Sequence, residues 1–297
     1  MMYKILLIAD VPNWAWGYKS KYIQKYLSDE FKVDVFYTQG HNKVKNTYDL
    51  YMNYTPTHIK FLEKNGIDKD RIITGITGMP AYRKHIKNKG SLADRVIGMH
   101  ANSQQFLNLL KKNESHNNIY YTPNGVDEKL FKPSSMIKSN KIKVGFIGKS
   151  IPDKGFENFV VPSVQRAKAI LVSNNKTWKN ADKLNNIVDF YSKINILLVA
   201  SITDGTPNPA LEAASCGKVL ISNRIGNMPQ LINDGVNGFL LKERNINQYT
   251  KKIMLLNNDR HLLQEMGNEA RKTIEQSWTW KIMAENYRTM FKEVLNI

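Results

Sequence analysis

The residues best suited to chemistry lie at positions 203–217, TDGTPNPALEAASCG. The segment follows the apolar run ILLVAS and leads into an alanine-rich stretch with helical character. Asp204 and Glu212 stand eight positions apart, one before the loop and one inside the expected helix. An ionised carboxylate accepts several hydrogen bonds, which matches the vicinal diol of a ribose or a hexose. Gly205, Pro207 and Pro209 keep the loop out of regular structure and let a ligand approach its backbone. A structural reading stands beside this one, with Asp204 capping the helix and Glu212 facing solvent.

A second segment, GKSIPDKGFENF at 148–159, follows the apolar run VGFI. It places Lys149 and Lys154 five positions apart across a turn that contains Pro152, with Gly155 behind. Two cations at a strand end can bracket a diphosphate and stabilise it as a leaving group. They can equally be two solvated lysines in a lysine-rich chain. Trp14 and Trp16, in the loop DVPNWAWGYKSK, could stack on an acceptor or pack beneath that loop. His85 and His100 are candidates for proton transfer, although an isolated histidine is more often structural.

Such groups need strands to end where they begin. The runs at 3–9, 32–37, 71–76, 93–100 and 119–122 read as strands, with helices over 19–27, 57–64 and 103–112. A polar, turn-rich stretch at 133–140, PSSMIKSN, reads as a linker. The alternation then restarts, with strands at 143–147, 169–172, 196–200, 219–222 and 238–240 and helices near Phe156, over 209–216 and over 246–256. The tail at 279–295 has the apolar spacing of an amphipathic helix. Alternating strands and helices imply parallel sheets with crossover connections. Ligands in such sheets bind at the carboxyl ends of the strands.

The chain has 297 residues, of which 42% are hydrophobic, enough for two modest α/β domains. No apolar run approaches the length of a membrane span. The start MMYKILLIADVPNW reads as a first buried strand rather than an export signal, because Asp10 ends its apolar run. Cys216 is the only cysteine, so the chain cannot form an internal disulfide or a cysteine-based zinc site, and a cytoplasmic location is expected. A nicotinamide-dependent dehydrogenase would want G-x-G-x-x-G after the first strand, and DVPNWAWG does not supply it. The formal net charge is +17, from 43 basic and 26 acidic residues. Residues 1–133 hold 20 of the basic and 12 of the acidic groups, so the excess is spread over both halves. Such a field attracts nucleic acid, an anionic membrane or phosphorylated ligands, or it reflects composition alone.

The order of these pieces resembles the retaining GT-B glycosyltransferases of family four. That family carries a G-R-x-x-x-x-K-G turn and then an E-x7-E element. Here stand Gly148-Lys149 and Lys154-Gly155, then Asp204 and Glu212. TPNGVDEKLFKP at 122–133, SNRIGNMPQLINDGVNGFLL at 222–241 and SWTWKIMAENYRTMF at 277–291 resemble further family blocks. The resemblance implies a GT-B fold, two Rossmann-like domains facing each other across a cleft. Residues 1–134 would form the acceptor-side domain and 135–278 the nucleotide-sugar-binding domain. Residues 279–297 would form a helix packing back on the N-terminal domain. It implies transfer of a hexose from a nucleoside diphosphate sugar, a UDP-sugar by preference, with retention and without a metal. Glu212 would hold the ribose. Asp204 and the backbone around Asn208, Pro209 and Ala210 would hold the sugar. Gly148, Lys149 and Lys154 would receive the diphosphate.

The departures from the family pattern are specific. Asp204 is shorter than the family's glutamate, and Lys149 lacks the fork of its arginine. Thr77 or Gly78 stands where the family often has a histidine, with His85 and His100 nearby. The loop around Trp14 and Trp16 resembles that of phage-type members. With the charge, this favours a hydroxymethylated base in DNA as acceptor. The alternatives are a lipid-linked or cell-surface glycan at an anionic membrane, and a non-catalytic binding protein derived from the fold. The basic residues Arg83, Lys84, His85, Lys87 and Lys89 would serve either polyanion.

Overall fold

The computed structural model describes residues 2–41, 43–134, 139–175 and 184–297. These form two compact units, one of residues 1–124, 204–206 and 280–297, the other of 125–203 and 207–279.

The first unit is built on the strands β1 (Lys4–Ala9), β2 (Lys32–Tyr37), β3 (Leu50–Asn53), β4 (Ile72–Ile76), β5 (Gly98–Ala101) and β6 (Ile119–Tyr121). They lie in the order β2-β1-β3-β4-β5-β6, and every pair is parallel. Parallel pairing requires long crossovers. These carry α1 (Ala15–Leu27), α2 (Ile59–Lys64), α3 (Met79–Lys89) and α4 (Gln104–Asn113). Alternate residues of β1 feed opposite faces, as a two-residue period demands. Ile5, Leu7 and Ala9 join one apolar layer, and Leu6 and Ile8 join the other. The first layer is closed by Ile23 and Leu27 of α1 and by Ala284, Tyr287, Met290 and Phe291. The second layer is closed by Ile59 and Leu62 of α2 and by Phe106, Leu107 and Leu110 of α4. Ser103 starts α4 by accepting the Phe106 N–H at 3.2 Å.

The second unit contains β7 (Lys143–Gly148), β8 (Ile170–Asn175), β9 (Ile196–Val199), β10 (Val219–Asn223) and β11 (Gly238–Leu241). Their order is β11-β10-β9-β7-β8, again all parallel. The helices are α5 (Val161–Arg166), α6 (Leu184–Ser192), α7 (Asn208–Ser215), α8 (Met228–Leu231), α9 (Ile246–Asn258) and α10 (Arg260–Ser277), and α11 (Trp280–Leu295) belongs to the first unit. Asn245 and Asp259 cap α9 and α10, accepting backbone N–H groups at 3.1 and 2.8 Å.

Several details differ from the sequence reading. The strand expected at 93–100 begins only at Gly98, because 93–95 is a single 3-10 turn. β3, α3 and α10 were not expected. The first unit ends at Asn124, before the boundary read at 134, because Val126 pairs with Thr279 and takes the Trp278 carbonyl at 2.9 Å. The expected linker at 133–140 lies partly outside the described residues.

Candidate functional site

In the second sheet β7 lies between β8 and β9, so the chain leaves β7 on one side and returns on the other. The carboxyl ends of β7 and β9 therefore flank a topological switch point, where open α/β sheets take their ligands. Both candidate segments begin there.

After β7, Gly148 leads to Lys149, whose side chain is exposed. Pro152–Lys154 makes one 3-10 turn, and Gly155 follows at φ 69° and ψ 19°. A side chain at Gly155 would be strained in this left-handed conformation, and its Cβ would lie 2.4 Å from the Ala200 carbonyl oxygen. The lysine turn is thus pressed against the end of β9, and the Ile202 N–H donates to the Asp153 carbonyl at 2.7 Å. Lys154 is half-buried in this turn.

After β9, α7 starts at Asn208 with Pro207 before it and no side-chain cap. Asp204 does not cap this helix, since its Oδ1 accepts the Gly205 N–H at 2.9 Å. Pro209 has no N–H, and the Ala210 N–H goes to the Pro207 carbonyl at 3.0 Å. Backbone donors at 208–210 are accordingly fewer than the sequence suggested. Ala210, Leu211, Ala213 and Ala214 are buried and anchor α7 to the sheet. Its carboxyl end is held by Arg271, whose Nη1 donates to the Ser215 carbonyl at 2.8 Å and the Phe131 carbonyl at 2.8 Å. A cation at a helix C-terminus also complements the dipole.

Glu212 is half-buried, and its Oε2 accepts from the Tyr191 phenol at 2.5 Å. Tyr191 is fully buried, and burial, with the Glu212 charge adding to it, raises its phenol well above its ordinary range. It therefore stays a donor.

Gly148, Lys149, Lys154, Asn208, Pro209, Ala210 and Glu212 all belong to the second unit, and Asp204 belongs to the first. Residues 204–206 are packed tightly there. A Cβ on Gly205 would meet Asn102 Oδ1 at 2.2 Å, the Thr206 hydroxyl donates to the Asn102 carbonyl, and Asn124 Nδ2 donates to the Thr206 carbonyl at 3.3 Å.

The first-unit candidates behave differently. Trp16 is packed rather than presented. Its indole N–H reaches Thr77 Oγ1 at 3.2 Å, and its ring stacks on Tyr54 at 6.0 Å and meets His58 edge-on at 5.8 Å. Trp14 precedes α1, and its carbonyl accepts the Tyr18 N–H at 2.9 Å. His85 is buried on α3. His100 is fully buried with both nitrogens bonded, to Thr122 Oγ1 at 2.7 Å and to the Asn53 carbonyl at 3.0 Å. Burial, then the Lys19 charge, lowers it to about 3, so it stays neutral and unavailable as a base.

Two residues escaped the sequence reading. Lys19 is 3% exposed, its Nζ has no hydrogen-bond partner, and it lies over the Tyr54 and Tyr287 rings at 5.2 and 5.3 Å. Burial lowers it to about 7. The periodicity did hold that signal, because 19, 23 and 27 share one helical face with Ile23 and Leu27. Tyr191 carried no signal, since nothing in the sequence pairs its phenol with Glu212.

Two cavities lie elsewhere. One of about 460 Å³ is lined by Lys69, Val96, His116 and Asn118, and one of about 270 Å³ by Asn195, Cys216, Lys218 and Arg271. Their linings include residues that precede strands, and neither contains a candidate residue of the β7 and β9 loops. Among the described residues no group of three His, Cys, Asp or Glu side chains could hold a metal ion, and no helix is long and apolar enough to cross a membrane.

Residues 140–273 match the family model of glycosyl transferases group 1. The capsular polysaccharide biosynthesis glycosyltransferase CapM of Staphylococcus aureus is 20% identical over 219 residues, covering 63% of this chain and 58% of that protein. The chain spans about half the length of the curated relatives it matches. Sucrose-phosphate synthase from Thermosynechococcus elongatus has a similar structure, with a TM-score of 0.77 at 12% identity over 99% of both chains. Anabaena HepE in complex with UDP and glucose gives a TM-score of 0.73 at 15% identity, over 98% of this chain and 99% of that one. These likenesses show the GT-B fold, with a Rossmann-like parallel sheet in each unit. Residues 140–273 are thus similar to the glycosyl transferases group 1 family.

Proposed function

We propose that the protein moves a hexose from a nucleoside diphosphate sugar to an acceptor hydroxyl with retention at the anomeric carbon. The observation that carries this is the lysine turn at the carboxyl end of β7, pressed against Ala200 beside the switch point of the second sheet, with Glu212 on the helix that follows β9. Glu212 takes the ribose hydroxyls, and Lys149 and Lys154 neutralise the diphosphate. The bond between the anomeric carbon and the phosphate oxygen breaks as the acceptor oxygen bonds on the same face. The acceptor proton passes to the departing phosphate. Lys154 contributes more than Lys149, because a half-buried cation acts through a lower effective dielectric than an exposed one. UDP is the preferred nucleotide, supported by HepE, which shares the fold and binds UDP and glucose.

A hydroxymethylated DNA base has the charge of +17 and the resemblance of the Trp14 and Trp16 loop in its favour, but Trp16 is already stacked on Tyr54. A glycan hydroxyl, lipid-linked or at the cell surface, has the similarity to CapM as well. We therefore place the acceptor on a glycan. The test offers labelled UDP-sugars with a lipid-linked glycan extract, with hydroxymethylated DNA and with neither. Transfer to the glycan, with the α or β configuration of the donor kept in the product, is expected. Transfer to DNA alone would overturn the acceptor, and an inverted product would overturn the mechanism. Absence of transfer, hydrolysis and UDP binding would overturn the function.

A further inference from the structure

We propose that Tyr191 is a positioning residue that aims the Glu212 carboxylate at the ribose of the bound nucleotide. The inference rests on the reading of Glu212 as the ribose ligand and adds a residue that this reading does not contain.

Tyr191 lies in the last turn of α6, and Glu212 lies in the second turn of α7. The phenol donates to Glu212 Oε2 at 2.5 Å, the length of a hydrogen bond to a charged acceptor. The tyrosine has no freedom of its own. It is fully buried, with Phe190 edge-on at 5.3 Å and Phe131 edge-on at 5.8 Å. Phe131 is itself fixed, since its carbonyl accepts from Ser215 Oγ at 2.5 Å and Arg271 Nη1 at 2.8 Å. A half-buried glutamate on a helix would otherwise sample several rotamers, many of them turned away from a ligand. The phenol selects one of them. It occupies one lone pair of Oε2 and leaves Oε1 and the remaining lone pair of Oε2 as acceptors, enough for two ribose hydroxyls. Pre-ordering of this kind strengthens binding by removing the cost of freezing the side chain in the complex.

A merely structural bond, in which Glu212 only satisfies a buried phenol, predicts something different. Removing the phenol oxygen would then change stability and leave ribose recognition alone. The experiment measures binding of UDP and of 2′,3′-dideoxyuridine diphosphate by calorimetry, beside melting profiles. Wild-type protein should prefer UDP by tenfold or more. In Tyr191→Phe the ring packing survives, UDP should weaken about fivefold, and the dideoxy nucleotide should bind as before, so the preference collapses. Glu212→Asp keeps the charge, withdraws the carboxylate from the phenol and should also lose the preference. In a Glu212→Ala background, adding Tyr191→Phe should change UDP affinity no further. A folded Tyr191→Phe protein with its full UDP preference overturns the proposal. So does a Tyr191→Phe chain that fails to fold while Glu212→Asp retains the preference. A wild-type protein that binds both nucleotides equally, or neither, overturns the Glu212 reading instead.

Discussion

The two sheets share a parallel topology with a switch point beside their first strands, yet they use their carboxyl edges in opposite ways. The second sheet has charged side chains left open or half-buried in the loops and helix that follow β7 and β9. Lys149 is exposed, Lys154 and Glu212 are half-buried, and a glycine turn brings backbone close. The first sheet turns its polar groups inward. Ser20 and Tyr54 share a hydrogen bond at 2.8 Å, and Thr74 donates to Asn53 Oδ1 at 2.7 Å. The Asn53 carbonyl can only accept, so His100 donates through Nε2, and the Thr122 hydroxyl completes the ring at Nδ1. The Tyr287 phenol reaches the Thr122 carbonyl at 2.9 Å. Gly75 makes room for this network, because a Cβ there would lie 2.4 Å from His100 Nε2. Trp16, Tyr54 and Thr77 pack over it. Topology alone therefore does not assign a ligand edge. The side chains placed there decide.

The largest effect that sharpens this comparison comes from α11. Truncation after Gln276 strips Ala284, Tyr287, Met290 and Phe291 from the first core. Each large buried side chain contributes about 1.5–3 kcal/mol, against a total stability of about 5–15 kcal/mol. The first unit should unfold. Hydrogen exchange should show β1, β3 and β4 losing protection while β7 and β9 keep theirs, and unchanged protection in β1 would break the account of that core.

Next comes Lys154. On the proposed function its charge acts as the diphosphate departs, so Lys154→Ala should lower kcat about 10²-fold and alter KM little. Lys149→Ala should cost less, because exposure weakens its field. Equal turnover in wild type and Lys154→Ala at saturating donor would remove Lys154 from the chemistry.

The smaller effect concerns the closed edge. Burial lowers Lys19 to about 7 in the folded protein from an ordinary 10.5. Between these values the unfolded chain holds more protons than the folded one, so stability rises as pH increases through that window. Below about 7 the amine is protonated in both states and the destabilisation is complete. The slope approaches about 1.4 kcal/mol per pH unit. Denaturant titrations at pH 6, 8 and 9.5 should show this rise, and Lys19→Met should flatten it and stabilise the protein at pH 6. A wild-type curve that is already flat would mean that Lys19 is not the buried cation described.

Much of this architecture was legible in the sequence, because buried parallel strands are short apolar runs and their ends can be read. β7 and β9 were visible as VGFI and ILLV, and with them the loops that hold Lys149, Lys154 and Glu212. α10 was missed because its eighteen residues are mostly polar, with Leu263, Met266, Ala270 and Ile274 as a narrow buried stripe. β3 was missed because four residues between turns carry too little periodicity. The partner of Glu212 was hidden for another reason. Tyr191 comes from a different helix, and side-chain bonds between distant elements follow from packing, which local spacing does not encode. The unit to which Asp204 belongs was hidden likewise, since Gly205 and Thr206 pack on Asn102 far away in sequence.

The central claim is that the carboxyl edge of the second sheet is the nucleotide edge, with Glu212 as its ribose ligand. Calorimetric titration of UDP into the wild-type protein and into Glu212→Ala tests it most directly. Loss of a hydrogen-bonded charge costs about 1.5–3 kcal/mol, so the account predicts saturable binding that weakens by about tenfold or more in the variant, which stays folded with a lowered melting temperature because the buried Tyr191 phenol loses its acceptor. Equal UDP affinity in the two proteins would contradict it.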